Sequence, residues 1–182
     1  MAAMKHQFKR TILALALISA AVSVASAQDR RDVRIADEVG RAVRNYARFT
    51  IFDDVHGRVD AGIVTLDGKV TTPLKKSEIE KRVARIDGVR ELKSSIQVLP
   101  VSPFDEDLRY RIARAIYGNP AFWNYAAMAN PPIHIIVENG RVTLTGVVNS
   151  EVDRMLARSL ATGQGELSVK NDLRTDAEVK SY

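Results

Sequence analysis

The stretch GIVTLDGKV at residues 62–70 recurs as GRVTLTGVV at residues 140–148. Six of the nine positions are identical, at a constant offset of 78 residues. Apolar and polar residues alternate in both stretches, which is typical of a strand with one buried face. A repeat of this kind indicates that the chain contains two copies of one structural unit.

A second alternating run precedes each of these strands, at residues 55–59 and 133–137. Two alternating runs that a short polar turn separates predict a β-hairpin. The turn of the second copy carries Asn139 and Gly140, two residues that tolerate the positive φ of a tight hairpin turn. Each copy is therefore expected to be built around an antiparallel strand pair.

Helical periodicity surrounds the hairpins. The helix expected before each hairpin has apolar residues three or four positions apart: Ile35, Val39 and Val43, then Leu108, Ile112 and Ile116. The helix expected after it has a similar stripe: Leu74, Ile79, Val83 and Ile86, then Val152, Leu156 and Leu160. A last short strand is expected at residues 92–96 and 169–173, which align at an offset of 77.

These patterns predict an α+β fold of two tandem α-β-β-α-β modules. Each module is expected to contain a small mixed three-stranded sheet with two helices on one face. The expected boundaries are residues 28–100 for the first module and 101–178 for the second.

The first 27 residues have the pattern of a signal peptide. Three cations, Lys5, Lys9 and Arg10, precede an apolar stretch at residues 11–24, and Ala25-Ser26-Ala27 is a small-residue cleavage site. The stretch is shorter than the 18 or more apolar residues that typically span a bilayer, which favours cleavage over a retained anchor. We expect cleavage after Ala27 and a periplasmic protein whose mature chain begins at Gln28.

Composition and charge exclude some classes of protein. Apolar residues make up 46% of the chain and charged residues 27%, which is the usage of a folded protein. The chain has no Cys, which excludes disulfides and thiolate chemistry. The leader holds three of the 27 Lys and Arg residues and no acid, so the remainder carries 24 basic and 22 acidic side chains. A charge so close to balance does not favour a nucleic-acid partner.

The repeated unit resembles the BON domain. The resemblance rests on the strand pattern of residues 62–70, the amphipathic helix after it, and Asp87-Gly88-Val89 leading into the last strand. A leader followed by two such modules is similar to the osmotically inducible periplasmic protein Y family. The family's spaced glycines correspond here to Gly62 and Gly68, and to Gly140 and Gly146. In the second copy, Gly163-Gln164-Gly165 stands where the family has a Gly-Val pair.

The resemblance implies a binding role in the cell envelope and no reaction. We expect the protein to bind phospholipid surfaces and to support envelope integrity or a stress response. The alternative is a periplasmic adaptor that binds another envelope protein without lipid contact. Neither hypothesis requires a cofactor, a metal or a small-molecule substrate.

The residues themselves offer little for catalysis. Only His56 and His134 could act as histidine bases in the mature chain, and they occupy the same repeat position, on the strand face opposite the core. Adjacent carboxylates at Asp53 and Asp54 point in opposite directions on an extended chain, so turn acids are the favoured interpretation. The basic residues of the second helix, at positions 75–85, have Glu78 and Glu80 interleaved, which favours a solvated face, with a patch for anionic lipid as the alternative.

The second module has a longer connection between its first helix and its hairpin, at residues 117–132. This connection holds Phe122, the chain's single Trp (Trp123) and Tyr125. Aromatic residues with a polar edge favour membrane headgroups and protein contact sites, although they can also close a small core. We select these three residues as the candidate lipid or partner contact, with no catalytic, cofactor-binding or metal residues.

Overall fold

The computed structural model describes residues 28–180, and the expected signal peptide at residues 1–27 lies outside them. The described chain forms two α+β modules in tandem, as the repeat predicts. Module one comprises, in order, α1 (28–44), β1 (Asp54–Asp60), β2 (Ile63–Val70), α2 (Pro73–Ala84) and β3 (Glu91–Val98). Its sheet has the order β1-β2-β3, with β1 antiparallel and β3 parallel to the central strand.

Module two repeats this order with additions. Its elements are α3 (Pro103–Tyr117), a 3₁₀ turn (Pro120–Phe122), α4 (Trp123–Ala126), β4 (Ile133–Glu138), β5 (Arg141–Val148), α5 (Glu151–Ala161), β6 (Ser168–Asn171), β7 (Arg174–Thr175) and α6 (Asp176–Lys180). The sheet order is β4-β5-β6, and β7 also pairs with β5. The parallel strand is therefore divided into β6 and β7, and the sequence pattern did not predict this division or α6.

The strand registers agree with the repeat. Val64 pairs with Leu92 in module one, and Val142 pairs with Val169 in module two. These are the same positions at the offsets of 78 and 77 that the sequence gives. The matching registers confirm that both copies fold in the same way.

Each module has its own hydrophobic core between the helices and one face of the sheet. In module one the buried core residues include Val39 of α1, Leu66 of β2 and Ile79 of α2. In module two Leu144 occupies the position of Leu66, and both are fully buried. Burying these apolar surfaces is the main stabilising contribution in a chain that has no Cys.

The apolar stripe predicted on α5 is confirmed at Leu156 and Leu160, which pack against the core of module two, but not at Val152. The residue at the same repeat position of α2, Leu74, is also exposed. Val152 is 72% exposed, and the buried residues of this helix are Ala157 and Ala161. The core-facing stripe therefore begins at Leu156, and Ala157 and Ala161 extend it along the helix. Alanine allows two helices to approach closely, so α5 packs on α3 through small side chains.

The hairpin turns show why glycine is needed at the first of the family's glycine positions. Gly62 and Gly140 have φ of +78° and +72°, in the left-handed region that favours glycine. An Asp of the preceding helix stabilises each turn by accepting two backbone N–H groups. Asp32 accepts from the N–H groups of Ala61 and Gly62, and Asp105 accepts from those of Asn139 and Gly140.

The second glycine position is needed because the chain passes close to its partner strand. Gly68 and Gly146 also have positive φ, at +131° and +116°. A Cβ atom at Gly68 would overlap the carbonyl oxygen of Asp54, and one at Gly146 would overlap that of Pro132. The four family glycines are thus required by the backbone of the hairpins.

Candidate functional site

The long connection of module two separates its aromatic residues into two groups. Phe122 is fully buried and Tyr125 is 4% exposed, and both belong to the core of module two. Their rings stack with a centroid distance of 5.8 Å. The structure therefore corrects the expectation that both belong to a contact surface, because a small core needs large side chains to close it.

Trp123 lies on the outside of the same connection. Its side chain is 63% exposed, and Met128 nearby in the chain is 48% exposed. Trp123 is the first residue of the short helix α4, directly between the buried Phe122 and Tyr125. The exposed part of the candidate contact is thus fixed to the core on both sides.

A hydrogen-bond pair ties this connection to the start of α5. The hydroxyl of Tyr125 donates to Asp153 at 2.9 Å and accepts from the backbone N–H of Asn149 at 2.8 Å. Burial raises the pKa of Tyr125, and Asp153 raises it further, although the backbone bond opposes this. The phenol consequently stays protonated and keeps donating to the carboxylate.

Module one also ties its own connection to the helix that follows the hairpin, α2, with the charges arranged differently. Asp53 is fully buried and accepts from the Thr71 N–H and hydroxyl, at 2.8 and 3.0 Å. Lys75 of α2 forms an ion pair with Asp53 at 2.6 Å. Lys75 and Asp153 occupy the same repeat position, so a cation in one helix corresponds to an anion in the other.

Asp53 thus has a different role from the turn acid that the sequence favoured. It does follow a turn, but it also accepts from the backbone and hydroxyl of Thr50. Four hydrogen-bond donors stabilise the carboxylate of Asp53, and the ammonium group of Lys75 neutralises its charge. A charge that is shielded from water requires such partners. Lys75 is likewise buried and is no part of a solvated basic face.

The other basic residues of α2 make surface contacts. Lys81 pairs with Glu78 at 3.1 Å, and the guanidinium of Arg82 lies 4.9 Å from the ring centroid of Tyr46. These contacts agree with the favoured interpretation of a solvated face with interleaved charges.

The two modules meet where the connection of module one reaches β4. The backbone N–H of Ile135 donates to the carbonyl of Ile51 at 2.7 Å. Ile51 and Phe52 pack against the core of module two, and Phe52 lies edge-on to Tyr110. Phe52 therefore belongs to the core of module two by packing, although it lies before β1 of module one in the chain.

The two histidines lie on the helix-free faces of their sheets, away from their own cores, as predicted. His134 contacts the carbonyl of Asp53 through Nδ1 at 2.6 Å and packs against the ring of Phe49. His56 contacts Asp54 at 3.0 Å. His134 is therefore part of the junction between modules, a role that required knowledge of their relative placement.

The electrostatics of His56 and Asp54 are coupled. The hydrogen bond to Asp54 raises the pKa of His56, and burial opposes this. Burial raises the pKa of Asp54, but the hydrogen bond and charge of His56 outweigh it, so the pKa of Asp54 is lowered. Asp67 on the neighbouring strand and Arg174 of module two also face His56, with opposite effects.

We expect the stabilising effect of His56 to decrease as the pH rises. Because its folded pKa lies above the unfolded value of 6.5, its contribution is complete below that value. The contribution is then lost as the pH rises through the folded pKa. The His56 side chain is 55% exposed, so solvent screens the pair and the effect is about 0.5 kcal/mol.

The measurement is the stability of the mature protein and of His56→Gln in urea from about pH 6 to about pH 8. The stability difference between the two proteins should narrow with rising pH. A constant difference across this range would contradict the assignment.

Residues 28–180 contain no group of three His, Cys, Asp or Glu side chains that could hold a metal. No helix within this part of the chain is long and apolar enough to cross a membrane.

Tandem α-β-β-α-β modules with spaced glycines in each hairpin define the structural class to which this chain belongs. The sequence model of the BON domain family matches residues 31–100 and 105–177. The chain therefore belongs to the BON domain family. BON domains are generally non-enzymatic binding domains, associated with phospholipid membranes and the cell envelope.

Two solved structures are similar to this chain at a low level. Both concern CdsD, described as a structural protein of the type III secretion system of Chlamydia trachomatis. The first is 16% identical, with a TM-score of 0.33, over 82% of this chain and 67% of that one. The second, its C-terminal domain, is 16% identical, with a TM-score of 0.32, over 79% and 66%. No curated protein matches the chain.

Proposed function

We propose that the protein is a non-enzymatic periplasmic component of the cell envelope that binds phospholipid surfaces. Its role would be to support envelope integrity or a stress response after export and cleavage behind Ala27. Membership of the BON domain family supports this proposal, because the family is associated with phospholipid membranes.

The observation that carries the proposal is the exposure of Trp123. An indole at the surface gains free energy in the headgroup zone, where its ring is buried and its N–H stays hydrated. Because Phe122 and Tyr125 are fixed in the core, Trp123 is held outward without having to be ordered on binding. Preorganisation of this kind lowers the entropic cost of association.

A second candidate is a protein adaptor without lipid contact. The observation in its favour is an apolar pair on α5, where Val152 and Met155 are 72% and 64% exposed. Residues three apart lie on the same side of a helix, so the pair forms one surface. Flotation with vesicles separates the two candidates, since an adaptor would not float.

Trp123→Ala should weaken binding of the mature protein to phosphatidylglycerol vesicles about tenfold, because the indole supplies much of the apolar area that enters the membrane. Binding is measured by flotation at low and at moderate salt. Electrostatic attraction to the vesicle surface weakens at the higher salt concentration, whereas insertion of an aromatic ring persists. The melting temperature should be nearly unchanged, since the side chain is mostly exposed.

The matched control is Leu167→Ala, which removes another apolar side chain that is 73% exposed. This variant should bind like the unaltered protein. If Trp123→Ala binds the vesicles as tightly as the unaltered protein does, the membrane contact lies elsewhere. The basic surface of α2 is then the next region to test.

A further inference from the structure

A cleft of about 410 Å³ opens at the junction of the two modules. A second cleft of about 400 Å³ adjoins it, and Asp54, His56, Gly146 and Arg174 line both. Either volume lies within the range of small-molecule sites. The junction between the modules thus has room for a ligand. The hairpins and the hydrophobic cores do not need this space in order to form.

The charge of the first cleft is predominantly positive. Arg44 at the end of α1 and Arg174 of β7 both line it, one from each module. Within residues 28–180, neither guanidinium makes an ion pair. Asp54 is the one carboxylate among the lining residues, and His56 already binds it.

The arrangement suits an oxyanion with several acceptor directions. A guanidinium is a planar fork of donors that matches phosphate or carboxylate oxygens. Here two guanidiniums come from different modules, so donors are available from two sides of the cleft. The acceptor lone pairs of a carboxylate lie in one plane, whereas the oxygens of a tetrahedral phosphate point in several directions, so donors from two modules suit a phosphate better.

Much of the remaining wall of the cleft is apolar, although Thr50, Asn130 and His134 also line it. Val43 and Val55 of module one face it, as do Pro131 and Pro132 of module two. A ligand that consists of a phosphate alone would leave this wall in contact with water. A molecule with a phosphate and a short apolar or neutral part would cover it.

We propose that the cleft between the modules binds a small molecule that carries a phosphate group, held between Arg44 and Arg174. Such a phosphate could belong to the headgroup of a lipid or to a free phosphate ester. The site is separate from Trp123, so it stands whether or not that residue contacts a membrane. Its ligand would connect the two modules directly, because each contributes one guanidinium.

The experiment is a nuclear magnetic resonance titration of the ¹⁵N-labelled mature protein with glycerol 3-phosphate. Saturable shifts are expected for the Nε–H of Arg174 and for the backbone amides of Gly146 and Val147. Arg174→Gln should weaken binding about tenfold, because a charge-assisted hydrogen bond is lost. Arg44→Gln should have a similar effect from the other module.

The matched control is Arg141→Gln, which removes a charge from an exposed arginine that does not line the cleft. This variant should bind glycerol 3-phosphate like the unaltered protein. Equal affinities of Arg174→Gln and Arg141→Gln would overturn the proposal, as would unsaturable shifts spread over arginines of both modules.

Two further probes distinguish the source of the phosphate. Inorganic phosphate and monomeric dihexanoyl phosphatidylglycerol are titrated under the same conditions. Tighter binding of the short-chain lipid, with the same loss in Arg174→Gln, supports a lipid headgroup. Equal or tighter binding of glycerol 3-phosphate, again lost in Arg174→Gln, supports a free phosphate ester.

Discussion

Replacing Asp53 by Asn is expected to lower the free energy of unfolding by about 3 to 5 kcal/mol, because it leaves Lys75 charged without its partner in a buried site. Asp53 is fully buried, and the Lys75 side chain is only 11% exposed, so water cannot replace the lost interaction. Urea unfolding of the mature protein provides the measurement.

The double variant Asp53→Asn with Lys75→Met should recover part of this loss, since it removes the unpaired charge together with its partner. The matched control is Asp60→Asn at the end of β1, where an exposed carboxylate makes no ion pair within the described residues. The control should change stability by less than about 0.5 kcal/mol. A loss of similar size in both single variants would show that the buried pair has no special weight.

Gly146→Ala is expected to destabilise module two by about 3 kcal/mol or more, because the new Cβ overlaps the carbonyl of Pro132 and φ is +116°. The overlap is with backbone, so no side-chain rotation can relieve it. The strand pair β4–β5 would have to separate locally, and the expected result is a lower melting temperature.

The matched control for this variant is Gly163→Ala. Gly163 has φ of +84° but nothing within 4 Å of a Cβ, so the substitution adds conformational strain without overlap. A cost of about 1 kcal/mol is expected there. If Gly146→Ala cost no more than Gly163→Ala, the close approach of β4 and β5 at this position would be wrong.

The hairpins and their registers could be predicted from the sequence because their information is local and occurs twice. The alternation around Leu66 and the same alternation around Leu144 support each other, and the constant offset aligns the third strands. Gly68 and Gly146 could also be selected, although the reason they are glycine became clear only from the carbonyl that each one approaches.

Periodicity could not predict which of the three aromatic side chains in the long connection of module two are buried and which is exposed. Phe122, Trp123 and Tyr125 lie in a 3₁₀ turn and a single helical turn, too short for a repeating pattern to separate the buried side from the exposed side. The alignment of the two modules is informative here, because Asp153 aligns with Lys75. Each of these two residues contacts the connection that precedes the hairpin of its module.

The contacts between the two modules could not be predicted from the sequence, because they join residues that are far apart in the chain. His134 contacts Phe49, which lies 85 positions earlier in the chain, and no local sequence pattern around either residue indicates this contact. Asp53 has the same difficulty, because its burial depends on Lys75 of the following helix. The paired turn contacts of Asp32 and Asp105 were accessible in principle, as both occupy one repeat position.

Ile51 and Phe52 belong to module one by sequence and to module two by packing. A chain cut near residue 100 would therefore remove two side chains from the core of the fragment that remains. It would also leave the outer edge of β4 without the carbonyl of Ile51 as a partner. We therefore expect the two modules to unfold in a coupled manner, so that loss of the first half lowers the melting temperature of the second.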